Sequence, residues 1–172
     1  MKIRTVYKRS QPMALSGLLI ALSYIGALLK IQGTIALDAL PAFLGAIFLG
    51  PIYGGVIGAL GHFFTALFSG FPLSFPLHAL ISLLMMGTVQ VFGVLYGKGH
   101  RVLAAATGIL LNGPVSLLIL SLASSFMGMP LQGKWMFLSL ITPLSAASAV
   151  NILGAVFLGN LLLKRNFKEG NL

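Results

Sequence analysis

The sequence predicts an all-α membrane protein: a compact bundle of six transmembrane helices, both termini cytoplasmic, forming a single domain over residues 1–172. Three observations carry that prediction. Hydrophobic residues make up 58% of the chain and charged residues only 8%, with a mean hydropathy of +1.01; a soluble domain carries about 25% charged residues. Apolar runs near the roughly 20 residues that cross a bilayer follow one another with short breaks. The 11 Lys and Arg against 2 Asp and Glu give a net charge of +9, and the basic residues cluster between those runs. That pattern points to topology and anionic headgroups rather than nucleic acid. Six spans leave no room for a separate ATPase or soluble catalytic domain. The absence of Cys excludes disulfides and thiolate metal sites.

The first span is expected at about 12–31, behind Lys2, Arg4, Lys8 and Arg9. Its run is too long for a signal-peptide core and lacks a small-x-small cleavage site, so it reads as an uncleaved helix. The second, about 36–50, is short for a crossing and stops at Gly50-Pro51. Proline at the first position of a helix is pre-organised, so the third span, about 51–69, forms a tight hairpin with the second. The fourth is expected at about 77–97, the fifth at about 102–126 and the sixth at about 138–163. With the N-terminus inside, nine of the 11 basic residues fall on the cytoplasmic side; Lys30 and Lys134 are the exceptions. No internal repeat is evident, which argues against an inverted-repeat carrier.

Small residues recur at helical spacing. Gly17 and Ala21 pair on the first span, and Gly54 and Gly58 on the third, with His62 further along the same face. In lipid, small residues let helix backbones approach closely, either inside the bundle or against another membrane subunit. Polar groups at depth are costly and mark function. Asp38 is the one acid outside the C-terminal tail. It reads as an N-cap for a helix with Pro41 in its first turn, as an acceptor for substrate hydroxyls, or both. His62, Asn112 and Asn151 are mid-span and need partners. His78 lies near the outer end of the fourth span, and Lys134 and Trp135 in the loop before the sixth. Each has a structural reading too: a helix contact, interfacial exposure or, for Trp135, an anchor. Together with Phe71 and Phe75 these residues describe an aromatic-lidded pocket opening outward, suited to a small, partly apolar ligand. No nucleotide, zinc-hydrolase or nucleophile-elbow motif is present. No Ser pairs with a His by spacing, and the His and acids are too dispersed for a metal cluster. Binding is favoured over catalysis, with no cofactor.

The stretch LPAFLGAIFLGPIYGGVIGALGHFFTALFSG, residues 40–70, and Gly17-x-x-x-Ala21 on the first helix resemble the substrate-binding S-components of energy-coupling-factor (ECF) vitamin transporters. The resemblance covers almost the whole chain. His62 departs from the pattern, since many members carry an acid near that position. The resemblance implies a multi-pass protein of the bacterial cell membrane that captures a vitamin at the outer face. It also implies toppling beside a transmembrane coupling subunit and two ATPases, with Gly17 and Ala21 on the docking face. Binding residues would include His78, Lys134, Trp135 and Asn151. The stretch SGFPLSFPLHAL, residues 69–80, looks most like members assigned to α-ribazole, a cobalamin precursor. Aromatics with Met85 and Met86 would hold its benzimidazole, and Asp38 or Asn151 its ribose. Riboflavin, a pyrimidine precursor or pyridoxine would suit the pocket equally. The alternative is an autonomous proton- or sodium-coupled carrier.

Overall fold

The computed structural model describes residues 10–28 and 38–169. The basic residues Lys2, Arg4, Lys8, Arg9 and Lys30, and the side chains of Arg165 and Lys168, lie outside the description. The helices are α1 Ser10–Leu28, α2 Leu40–Leu49, α3 Pro51–Phe68, α4 Phe75–Gly97, α5 Arg101–Leu110, α6 Ser116–Phe126 and α7 Gly133–Glu169. A π-helical turn, Leu111–Val115, joins α5 to α6 into one crossing. Among the described residues five helical segments are long and apolar enough to span a membrane; α2, with ten residues, is the sixth and shorter apolar helix. Large apolar side chains such as Val102, Phe126 and Phe157 are exposed around the outside, as lipid contact requires.

The α2–α3 hairpin is as tight as its sequence suggests. One residue, Gly50 at φ 98°, joins the helices, and Pro51 opens α3. A side chain at Gly54 would stand 2.6 Å from Ala46 Cα, and one at Gly58 3.4 Å from Ala42 Cβ. Those pairs are symmetric about Gly50, so the helices run antiparallel in backbone contact. The remaining faces of α3 are used the same way: Gly55 lies against Gln90 and the Met86 carbonyl of α4, and Gly61 against Ser23 of α1. The Gly54–Gly58 stripe is therefore spent on internal packing and is not a docking face. Gly17 is the opposite case. A Cβ there meets nothing within 4 Å, and Ala21 is also exposed, while Ser16, Leu19, Ser23 and Ala27 form the buried face of α1.

The second span begins at Leu40 rather than 36, so at 1.5 Å per residue α2 rises only about 15 Å. Its start, with Asp38 just before it, lies beside His62 of α3, whose Nδ1 is 3.6 Å from Asp38 Oδ2. Asp38 is not the N-cap either. Ala39 holds that position without a side-chain bond, and its carbonyl accepts from the Ala42 and Phe43 N–H groups. Pro41 has no N–H, and the remaining donor, Leu40 N–H, is accepted by Asn151 Oδ1 at 2.9 Å. The cap comes from α7, 111 residues away in sequence.

Pro114 would break an α-helix by losing a hydrogen bond and pushing its ring at the preceding turn. The π turn absorbs it, and Ser116 Oγ donates to the Leu111 carbonyl at 2.6 Å. α7 starts at Gly133, earlier than the expected 138, so Lys134 and Trp135 belong to its first turn rather than to a loop. Two apolar clusters result. The larger centres on Phe43 and Phe92, in edge contact at 5.0 Å, with Ile57, Val89 and Ile152. The smaller joins Leu77, Leu117, Leu120 and Met136 toward the α3–α4 and α6–α7 connections. At the opposite end Asn160 Oδ1 accepts from Tyr96 Oη and Arg101 Nη1, both at 3.0 Å, fastening α4, α5 and α7.

The hairpin contact makes opposite predictions for two glycines. Gly54→Val should lower stability by about 1–3 kcal/mol through overpacking. Gly87→Ala should raise it by about 0.5–1 kcal/mol, because Gly87 lies in mid-helix with open space around it. Thermal unfolding in detergent reads both, and a Gly54→Val protein melting at the parent temperature would show that close approach does not hold the hairpin.

Candidate substrate-binding cavity

A cavity of about 340 Å³ lies between the two apolar clusters. It sits toward the α3–α4 and α6–α7 connections, the end that the charge asymmetry assigns to the outside. Its size falls at the lower end of small-molecule sites. One wall is α3 and the start of α4; the other is the π turn, α6 and α7; Asp38 and Ala39 contribute from the start of α2. Most of the lining is aliphatic, with Ile81, Met85, Leu117, Leu140 and Leu144 among the contributors.

Five of the seven binding residues expected from sequence line this cavity: Asp38, His62, His78, Asn112 and Asn151. Lys134 and Trp135 are not in its described lining, and Trp135 is 72% exposed on the outside of α7. The aromatic lid is overturned, because no Phe, Tyr or Trp lines the cavity among the described residues. Phe71 and Phe75 pack on each other at 5.3 Å and on Phe63, and Phe71 leans on the His78 ring at 5.9 Å. They buttress a wall instead of covering the opening. Met85 lines the cavity and Met86 does not.

The polar residues are tied into chains. Leu73 N–H donates to His78 Nε2 at 3.4 Å, so that nitrogen carries no proton. The proton of neutral His78 is then on Nδ1, which donates to His62 Nε2 at 3.2 Å. His62 in turn directs its Nδ1–H toward Asp38 Oδ2, 3.6 Å away. One backbone amide thus fixes the tautomers of two stacked imidazoles and points them at a carboxylate. The arrangement is a chain and not a convergent ligand set; among the described residues no group of three or more His, Asp or Glu is placed to hold a metal ion. Across the cavity the π turn delivers Asn112, whose Nδ2 donates to Ser148 Oγ of α7 at 3.0 Å. Gly113 next to it allows a backbone approach, since a Cβ there would stand 3.3 Å from Ser145 Cα. Asn151 is engaged at both ends: Oδ1 accepts from Leu40 N–H, and Nδ2 donates to the Ala147 carbonyl at 2.9 Å.

Sequence reasoning missed Thr65, Ser69 and Ser116, all in the lining. A usable signal existed for the first two. Gly58, His62, Thr65 and Ser69 follow at steps of four, three and four, the spacing of one helix face.

Because Asn151 holds the start of α2, Asn151→Ala should destabilise the ligand-free protein by about 1–3 kcal/mol, the cost of a buried donor left unpaired. An unchanged melting temperature in detergent would show that the Leu40 amide needs no such partner.

Comparison with known proteins gives one match. The family model of the ECF transporter substrate-specific component matches residues 11–163. No curated protein and no solved structure matches the chain significantly. The match runs through every crossing helix and all the described residues around the cavity, and the family is one of transporter components, not enzymes. The chain belongs to the ECF substrate-specific components, multi-pass proteins of the cell membrane that bind a small molecule and pair with coupling and ATPase modules.

Proposed function

We propose that this protein captures a vitamin or vitamin precursor at the extracellular face, seats it in the cavity beside Asp38 and His62, and delivers it by toppling with the coupling subunit and its two ATPases. The observation that carries the reading is the cavity itself. It has aliphatic walls, a polar side formed by Asp38, His62, His78, Asn112 and Asn151, and room for one small molecule. α-Ribazole is the favoured ligand. Residues 69–80 support it by resemblance, and the stacked pair of His62 and His78, with ring centroids 5.4 Å apart, offers a flat polar surface at the cavity wall. Asp38 is the acceptor for ribose hydroxyls in this reading; Asn151, bound at both ends, holds α2 instead.

Docking is assigned to Gly17 and Ala21. Both are exposed on a helix whose opposite face is buried, and neither is needed for packing within the chain. Small residues on a lipid-exposed face admit a partner helix at close range.

A second reading, an autonomous proton-coupled carrier, is favoured by one observation: the Asp38–His62–His78 chain has the makings of an intramembrane proton relay. It requires uptake by liposomes that contain this protein alone, driven by a pH gradient. Dependence of uptake on the coupling and ATPase modules would exclude it.

The docking assignment predicts separable effects. Gly17→Leu should leave ligand binding by the purified chain unchanged and cut uptake by cells carrying the coupling module at least about tenfold. Undiminished uptake would move docking to another face.

A further inference from the structure

The polar side chains around the cavity differ in what they have left to offer. His78 accepts from Leu73 N–H and shares its other nitrogen with His62. His62 spends its remaining nitrogen toward Asp38. Asn151 is bound at both ends, and Ser116 donates back to the Leu111 carbonyl. These four hold the site in shape.

Thr65 stands apart. It lines the cavity and is 9% exposed, and its Oγ1 has no hydrogen-bond partner among the described residues. That is unusual for a threonine in a helix, which ordinarily donates to the carbonyl one turn back, as Thr107 does to Leu103 at 2.7 Å. A buried hydroxyl without a partner is costly. On the same cavity, Asp38 has the 3.6 Å approach of His62 and no closer partner among the described residues, and Asn112 is bonded on one side to Ser148. No Lys or Arg lines the cavity among the described residues.

We infer that Thr65, with Asp38 and Asn112, forms the hydrogen-bonding set that meets the ligand, and that the cavity selects an uncharged or cationic ligand rich in hydroxyl or amine donors. His62, His78, Asn151 and Ser116 are positioning residues. The inference rests on the capture reading and narrows it. An ionised carboxyl group accepts hydrogen bonds and donates none, so Asp38 is complementary to hydroxyl and amine hydrogens. A ligand carboxylate or phosphate brought beside Asp38 would meet like charge in a poorly screened site, with no cation in the described lining to offset it. Thr65 supplies a hydroxyl that can donate or accept, and the ligand removes its unpaired state. Discrimination by such a group is strong because a ligand lacking the matching polar atom leaves it buried and unpaired.

The test is equilibrium binding to the full chain in lipid nanodiscs. The probes are α-ribazole, riboflavin and pyridoxine as neutral ligands, thiamine as a cation, and biotin and pantothenate as anions. A neutral or cationic probe is expected to bind saturably, and neither anion to displace it. Thr65→Val keeps the side-chain shape and removes the hydroxyl. It should weaken the bound probe roughly 2- to 12-fold, the range of one hydrogen bond, without lowering the melting temperature of the ligand-free protein. Thr65→Ser should restore most of the affinity. A purely structural hydroxyl would lower both affinity and melting temperature, and that result overturns the assignment, as does unchanged affinity in Thr65→Val. Tightest binding by biotin or pantothenate overturns the ligand class while leaving the capture function intact. No binding by any probe, together with no uptake of any in cells carrying the coupling module, overturns both.

Discussion

The structure depends on how closely α3 lets its neighbours approach. In lipid, burying apolar surface gives helices no net reason to associate, so contact must come from packing and from polar bonds. α3 meets this with glycine on several faces: Gly54 and Gly58 toward α2, Gly55 toward α4, Gly61 toward α1. Each removes a side chain where a backbone or short side chain comes in. The same glycines make α3 intrinsically weaker as a helix, and the packing they permit offsets that cost. With three neighbours drawn tightly around one end of α3, the other end, beyond His62, is left to face a cavity.

Polar groups then do two different jobs in that cavity. Some hold separate helices together: Asn151 joins α7 to the start of α2, and His78 joins α4 to His62 of α3. Both ends of the Asn151 amide and both ring nitrogens of His78 are engaged in these bonds. Others are left underused, and those are the groups able to change partner when a molecule enters. Division of labour of this kind fits a binding protein, where the frame must persist through loading and release.

Much of this was legible in the sequence. Apolar run lengths gave the crossings, Gly50-Pro51 the hairpin, and the glycine spacing on α3 a face of close contact. Of the cavity's polar residues, His62, Asn112 and Asn151 stood out as polar groups in mid-span, Asp38 as the one acid outside the C-terminal tail, and His78 at the outer end of its span. What failed was what depends on distant parts of the chain. Asp38 had the residue type and position of an N-cap, but the donor it would have served is met by Asn151 from the last helix. Phe71, Phe75 and Trp135 fall at the correct end of the bundle, yet side-chain direction is set by packing, and they turn to each other or to the outside. A threonine in a helix usually satisfies itself on its own backbone, so residue type alone does not single out Thr65, whose Oγ1 has no such bond among the described residues.

The hairpin has a mechanical consequence. Because α2 and α3 are joined by one residue and touch backbone to backbone at Ala46 and Gly54, they behave as a single stiff lever with Gly50 at its tip. Asp38 rides on one arm and His62 on the other, about 15 Å from the tip along α2. The close contact of the two arms therefore fixes the separation of Asp38 and His62 on the polar side of the cavity, where they stand 3.6 Å apart. The bond from Leu40 to Asn151 ties the far end of the α2 arm to α7.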